Sequence, residues 1–321
     1  MERRDFLKTA AAGIAGMGIV GCSPRRGMRT GTLSALDELS NLPTAERLPA
    51  LFVGHGSPMN AIEDNAFSRT WKQLGKELPA PQAILCVSAH WLTRGETRVT
   101  AMEKPRTIHD FGGFPQALFD QQYPAPGSPD LARDTIEIVK KTHVLKDSQW
   151  GLDHGTWSVL LPMFPKAEIP VVQLSIDYAK PPKYHFELAK ELRKLREKGV
   201  LIVGSGNLVH NLREMRRTSE PHDYTVEFES AMRTAIDARE FEKVVNFSDL
   251  GELAKKAHPT PDHFYPLLYT LGVVEDGEPI TAFNEAFDLA SISMTSFTVG
   301  GKVAPEEDAG ETTESGGSAK G

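Results

Sequence analysis

Short unbroken apolar runs punctuate this chain: 50–54, 83–88, 171–176, 200–204 and 292–299. Apolar runs without alternation mark strands buried on both faces, the habit of parallel sheets. Helical signals fill the intervals. Asn65 to Leu78 reads as a helix that stops before Pro79, because the residue before a proline is pushed out of the helical region. Ser128-Pro129-Asp130 is a helix start with a serine cap and proline at the first position, and the helix runs to about Lys141. Lys183 to Lys198 is a charged amphipathic helix closed by Gly199, and helices over Asp223–Lys243 and Pro261–Leu271 follow. Residues 104–127, rich in Gly, Pro and aromatics, form a long loop. The βαβ order predicts one α/β domain over 48–302, with a mainly parallel central sheet and helices on both faces.

Three of those runs lead directly into histidines. Leu51-Phe52-Val53-Gly54 meets His55, Ile84 to Ala89 meets His90, and Leu201 to Gly206 leads to His210. A fourth, His263, stands at a helix start in Pro261-Asp262-His263-Phe264-Tyr265-Pro266. Open α/β sheets bind ligands beyond the carboxyl ends of their strands. Imidazole is the commonest protein ligand for a borderline transition metal, so several delivered to one sheet edge predict a metal site there. His154 follows no strand and is flanked by Gly155, which suits a pocket residue meeting a substrate; the plainer alternative is a loop histidine bonded to Asp153. Of the ten histidines, His143, His185 and His222 have charged neighbours and no motif, and are expected to be solvated.

The two ends differ from this body. Arg3-Arg4 precedes an apolar stretch from Thr9 to Gly21, which is too short and glycine-rich to span a bilayer and reads as a cleaved export signal. Ile19-Val20-Gly21-Cys22-Ser23 resembles a bacterial lipobox, with Cys22 as the lipidated first residue of the mature chain. Residues 1–22 are therefore expected to direct twin-arginine export, and 23–47 to be a tether. The membrane would be touched only through that anchor, in the periplasm or cell envelope. The tail, 303–321, carries five acids and one lysine among Gly, Ser and Thr; such composition buries too little to offset ordering entropy, and disorder is expected. The chain's net charge of −7, without a clustered basic face, excludes a nucleic-acid binder. With Cys22 lipidated, only Cys86 remains; no intramolecular disulfide can form, and Cys86 reads as core.

The strings HGSPM (55–59), SAHW (88–91), TIHDFGGFP (107–115), YPAPG (123–127), LDHGTW (152–157), VQLSID (172–177), GSGNLVHNL (204–212) and TPDHFYPLLY (260–269) together resemble the bacterial 4,5-DOPA extradiol dioxygenases. These belong to the class III ring-cleaving superfamily, and the resemblance runs from about Leu48 to Gly300. It implies one divalent metal with His55, His90 and His263 as ligands, and His210 as fourth ligand or acid/base group. It implies catalysis by His154 with His210, substrate contacts from His109 and His258, and a catechol-type molecule and O2 as reactants. An all-imidazole set suits zinc as isolated and iron(II) for turnover. Asp262 is the nearest carboxylate candidate in an otherwise histidine-based site. Two other readings share these ligands: a chelatase-like metal enzyme, in which TIHDFGGFP and TPDHFYP have no counterpart, and a non-catalytic metal-binding lipoprotein on the same scaffold. The oligomeric state is not legible.

Overall fold

The computed structural model describes residue 45 and residues 47–301. The export segment 1–22, the tether 23–47 apart from Ala45 and Arg47, and the acidic tail 303–321 lie outside the described residues. Six strands form the central sheet: β1 Ala50–Gly54, β2 Ala83–Ser88, β3 Val171–Gln173, β4 Val200–Gly206, β5 Ile280–Phe283 and β6 Ser296–Val299. Their order is β3-β2-β4-β1-β6-β5. The first four are parallel, and β6 and β5 add an antiparallel margin beside β1.

Alternation along each strand sends residues to two cores. Ala50 and Phe52 of β1, Leu85 and Val87 of β2, and Val200 and Ile202 of β4 pack under α4 Pro182–Leu192, α5 Asp223–Asp237 and α6 Tyr265–Gly272. Leu51, Val53, Ile84, Cys86, Leu201 and Val203 face the other way, against Trp71 and Leu74 of α1 Ala66–Glu77 and Trp157 and Leu160 of α3 His154–Met163. Helices therefore cover both faces, as the βαβ order predicts. Cys86 is buried in this second core, as expected.

Local rules explain most boundaries. The Asn65 side chain accepts from the Ser68 N–H at 3.0 Å and the Ser68 hydroxyl accepts from the Asn65 N–H at 3.1 Å, a reciprocal cap that starts α1. Ser128 caps α2 Pro129–Ile138. That helix ends three residues before Lys141, because Glu191 of α4 accepts from the Lys140 and Lys141 N–H groups at 3.1 Å. The helix expected over 183–198 tightens into a 3-10 turn after Leu192 and closes on Gly199 at φ 67°. The helix expected over 223–243 breaks beyond Asp237, where Arg239 takes φ 58°. The strand expected over 292–299 splits: Ile292–Ser293 pairs with Phe287–Asp288, and β6 rejoins the sheet after Met294, whose backbone crosses Gly54 too closely for any Cβ there (2.7 Å).

The sequence reading misses α3, β5 and a parallel ribbon of Thr97–Thr100 with Val144–Asp147. α3 is buried almost all round, so it lacks the polar face by which a helix is read. Among the described residues, no helix is long and apolar enough to cross a membrane.

α1 and α3 meet at Gly75, where a Cβ would run into the Met163 carbonyl oxygen. Gly75→Ala should gain about 1 kcal/mol of helix propensity and lose about 2–3 kcal/mol to overpacking against backbone that cannot swing aside. The expected net loss is about 1–2 kcal/mol, read from urea denaturation. An unchanged or higher midpoint would show that the two helices are not in this contact.

Candidate metal centre and its proton relay

Strand ends and a helix start converge at the carboxyl edge of the sheet. His55 follows β1, His90 lies two residues beyond β2, and His263 ends the 3-10 turn Pro261–His263 before α6. Gly206, at the end of β4, lets that turn close: a Cβ would collide with the His263 carbonyl, which accepts from the Asn207 N–H at 2.9 Å. The His55, His90 and His263 ring centroids form a nearly equilateral triangle, 5.1, 5.2 and 5.0 Å on a side. One ring nitrogen from each lies within 4.8 Å of the other two.

A hydrogen bond behind its ring sets the tautomer of His55. The Ser205 hydroxyl donates to the Gly155 carbonyl, so its oxygen can only accept from His55 Nδ1, 3.1 Å away. The His55 proton is thereby held on Nδ1, and Nε2 carries a lone pair. His90 turns Nδ1 toward Asp110, 3.6 Å away, and its Nε2 toward His55 Nε2, 3.2 Å away. At that distance His90 Nε2 donates to the His55 lone pair when it carries the ring proton, and when it does not, the two lone pairs face one another and suit a cation between them. Two ligands about 2.1 Å from one ion, at tetrahedral to octahedral angles, stand about 3.0–3.4 Å apart. The buried His263 Nδ1 makes no hydrogen bond and has Asp262 3.4 Å away. These residues fit a divalent metal.

Burial and mutual repulsion keep the rings neutral. Burial first, and neighbouring imidazoles second, hold His55 and His263 well below the ordinary histidine value. The same causes bring His90 down to about 3 and His210 to about 4. Neutral imidazole is the form that ligates metal.

The second group centres on Asp110, a carboxylate that sequence reading passed over in favour of Asp262. Its Oδ1 accepts from the His154 backbone N–H at 2.9 Å and lies 3.0 Å from His154 Nδ1; Oδ2 faces His90. Burial pushes this carboxyl up, but the hydrogen bond and charge of His154 more than offset it, leaving Asp110 below the usual carboxylate value. The loop carrying Asp110 is tied to α3 by the Trp157 indole N–H, which donates to the Ile108 carbonyl at 2.9 Å. Asp110 follows His109 within TIHDFGGFP, the one sequence signal that pointed to it.

The expected site residues separate accordingly. His154 opens α3 and pairs with Asp110, not with Asp153, which caps the helix by accepting from the Thr156 N–H at 3.2 Å. His210 lies outside the metal triad, flat on His263 with centroids 3.5 Å apart. His109 bonds the Gln121 carbonyl through Nε2 at 2.9 Å and packs against Phe111, Phe119 and Trp157, part of an aromatic wall beside His154. His258, expected at the substrate, is instead a structural histidine: its Nε2 faces the Leu208 carbonyl at 2.9 Å, and Phe228, Phe247 and Phe264 enclose the ring. His185, expected to be solvated, is fully buried, stacked on Tyr265 and bonded to the Tyr269 hydroxyl at 2.9 Å. Its charged neighbours lie on the outer face of α4, while the ring turns inward. His143 is exposed, as expected, and His222 is half-buried. Asp262 bonds the His263 N–H at 3.1 Å and lies 3.4 Å from its Nδ1.

Comparison with known proteins gives the family. Residues 49–298 match the family described as the catalytic LigB subunit of aromatic ring-opening dioxygenase. The chain is 49% identical over 263 residues to the 4,5-DOPA dioxygenase extradiol of Escherichia coli K12, covering 80% of this chain and 96% of that protein. Its identity to the Beta vulgaris enzyme of the same name is 34% over 253 residues, covering 77% and 94%. A crystal structure of an uncharacterized Escherichia coli K12 protein, 44% identical, superposes with a TM-score of 0.68 over 79% of this chain and all of that one. The chain belongs to the LigB family of aromatic ring-opening dioxygenases and is an extradiol ring-cleaving enzyme.

Proposed function

We propose that this enzyme opens the ring of a catechol bearing an amino-acid-type side chain, a DOPA-like compound, with O2 as co-substrate. One divalent ion would be held by His55, His90 and His263, with iron(II) for turnover and zinc as the metal an all-imidazole set also suits. The observation that carries this reading is the pair of Nε2 atoms, 3.2 Å apart, with the His55 lone pair fixed by Ser205. When bound, the ion supplies a Lewis-acidic centre for the two adjacent catechol oxygens and for O2. The reaction breaks the ring bond beside the diol and places both O2 atoms in the product, with electrons from the catechol.

The chain's own part is proton handling and orientation. His154 turns Nδ1 to Asp110, 3.0 Å away, and with the ring proton on that nitrogen Nε2 is left to accept a proton from a catechol hydroxyl and return it to the opened product. Asp110 stabilises the imidazolium formed in between. The stacking of His210 on His263, outside the triad, favours a second proton carrier over a fourth ligand. Phe111, edge-on to His154 at 5.5 Å, gives the aromatic ring an apolar face to lie against. Anaerobic reconstitution with iron(II), followed by O2 and a catechol panel, should give a yellow semialdehyde; no product from any catechol would overturn the proposal.

We further propose that the protein is exported by the twin-arginine route and anchored by lipid on Cys22. The Arg3-Arg4 pair, the short apolar run and the cysteine that ends it support this.

His55→Ala should abolish metal retention, measured by elemental analysis, while the far-ultraviolet circular dichroism stays that of the wild type. Retained stoichiometric metal would remove His55 from the ligand set. His154→Gln should hold metal normally and lose about 10²–10⁴-fold in kcat, with a much smaller change in catechol binding; wild-type turnover would reduce His154 to an orienting role. Cys22→Ser should move the protein from the membrane to the soluble fraction, and Arg3→Lys with Arg4→Lys should hold it in the cytosol. Fractionation like wild type in both would show that the N-terminus is no such signal.

A further inference from the structure

The two rims of the histidine cluster differ in what lies beyond the rings. On the His154 side stand Phe111, Phe114 and Phe119. On the His263 side, Tyr178 lies with its ring centroid 6.1 Å from that of Tyr265, two residues beyond His263. The Arg94 guanidinium carbon sits 5.5 Å from the Tyr178 ring centroid. Asp262, the immediate neighbour of His263, completes this rim and is only partly buried.

We propose that Arg94 and Asp262, set around Tyr178 at the rim of the histidine cluster, form the subsite for the charged end of an amino-acid-bearing catechol. Arg94 would take the carboxylate and Asp262 the ammonium. The inference deepens the ring-opening reading and rests on it.

Arg94 is presented, not left loose. It occupies a tight turn four residues after His90, where the Thr93 hydroxyl donates to the Glu96 carbonyl at 2.6 Å and Gly95 takes φ 87°. The Gly95 N–H donates to Asp177 at 2.7 Å, which fixes the turn against the segment carrying Tyr178. Arg94 is exposed, and among the described residues its guanidinium pairs with no carboxylate. An arginine lying over an aromatic ring loses less freedom on binding a planar carboxylate than a freely solvated one. Asp262 uses Oδ1 for the Thr260 hydroxyl at 3.0 Å and the His263 N–H, which leaves Oδ2 for a ligand cation. The two charges reach the same phenol: burial raises the Tyr178 hydroxyl, Asp262 raises it further, and Arg94 lowers it. A zwitterion spanning the pair would satisfy both, whereas a neutral catechol would satisfy neither.

The test is anaerobic binding of four catechols to the metal-loaded protein: L-DOPA with both charges, 3,4-dihydroxyphenylpropionate with the carboxylate, dopamine with the ammonium, and 4-methylcatechol with neither. Wild type should bind L-DOPA tightest and 4-methylcatechol weakest. Arg94→Met, which keeps the aliphatic stem over Tyr178, should weaken the two carboxylate ligands about tenfold and spare the other two. Asp262→Asn should weaken the two ammonium ligands similarly, with metal content measured because His263 is adjacent. Equal wild-type affinities for all four, or an Arg94→Met effect common to all four or absent from all, would overturn the subsite. Failure to turn over any catechol would overturn the ring-opening reading instead, while the binding pattern still decides the subsite.

Discussion

The Ser205 hydroxyl is the bond on which the site's geometry depends. It donates to Gly155 at the start of α3 and accepts from His55 at the end of β1, while its backbone sits in β4 between β1 and β2. One buried hydroxyl therefore fixes a strand end, a helix start and an imidazole tautomer at once. The surrounding glycines follow from it. A Cβ at Gly155 would strike the Ser88 hydroxyl and approach His90 Cδ2 to 2.8 Å, so α3 could not come close enough to receive the Ser205 proton. A Cβ at Gly206 would hold the His263 turn off β4. The close approach of three separate chain segments is what brings the rings to about 5 Å.

Much of this was legible because burial writes itself into sequence. The strands β1, β2 and β4 are apolar on both faces, so they appear as runs, and the histidines that follow them necessarily emerge at one sheet edge. Asn65 and Ser128 are caps with a chemical reason to be there, and the helices they open appear where expected. What escaped has equally physical causes. α3 is enclosed on almost every side and so shows no polar stripe. Asp110 lies in a loop, where no periodicity reports which way a carboxylate turns. His185 and His258 sit beside charged residues in sequence but face inward, and each spends a ring nitrogen on a neighbouring oxygen: a tyrosine hydroxyl for one, a main-chain carbonyl for the other. Charged neighbours describe the outer face of a helix or turn and say nothing about its inner one.

The cluster divides its chemistry by what stands behind each ring. His55 is backed by a neutral hydroxyl whose own proton is committed elsewhere, and burial among other imidazoles opposes its protonation, so it can offer a lone pair but not accept a proton at neutral pH. His154 is backed by Asp110, a carboxylate held ionised by that same histidine. A positive charge arising on His154 is met by a negative one already in place, and the reorganisation that would accompany proton transfer in water is avoided. His90 stands between the two: its Nε2 faces His55 and its Nδ1 faces Asp110. The carboxylate beside His154 thus also faces one of the three clustered imidazoles. Moving Asp110 would disturb both halves of the cluster together, which is why its short connection to α3 through Trp157 and the His154 N–H holds the arrangement as firmly as the strand ends that carry the histidines.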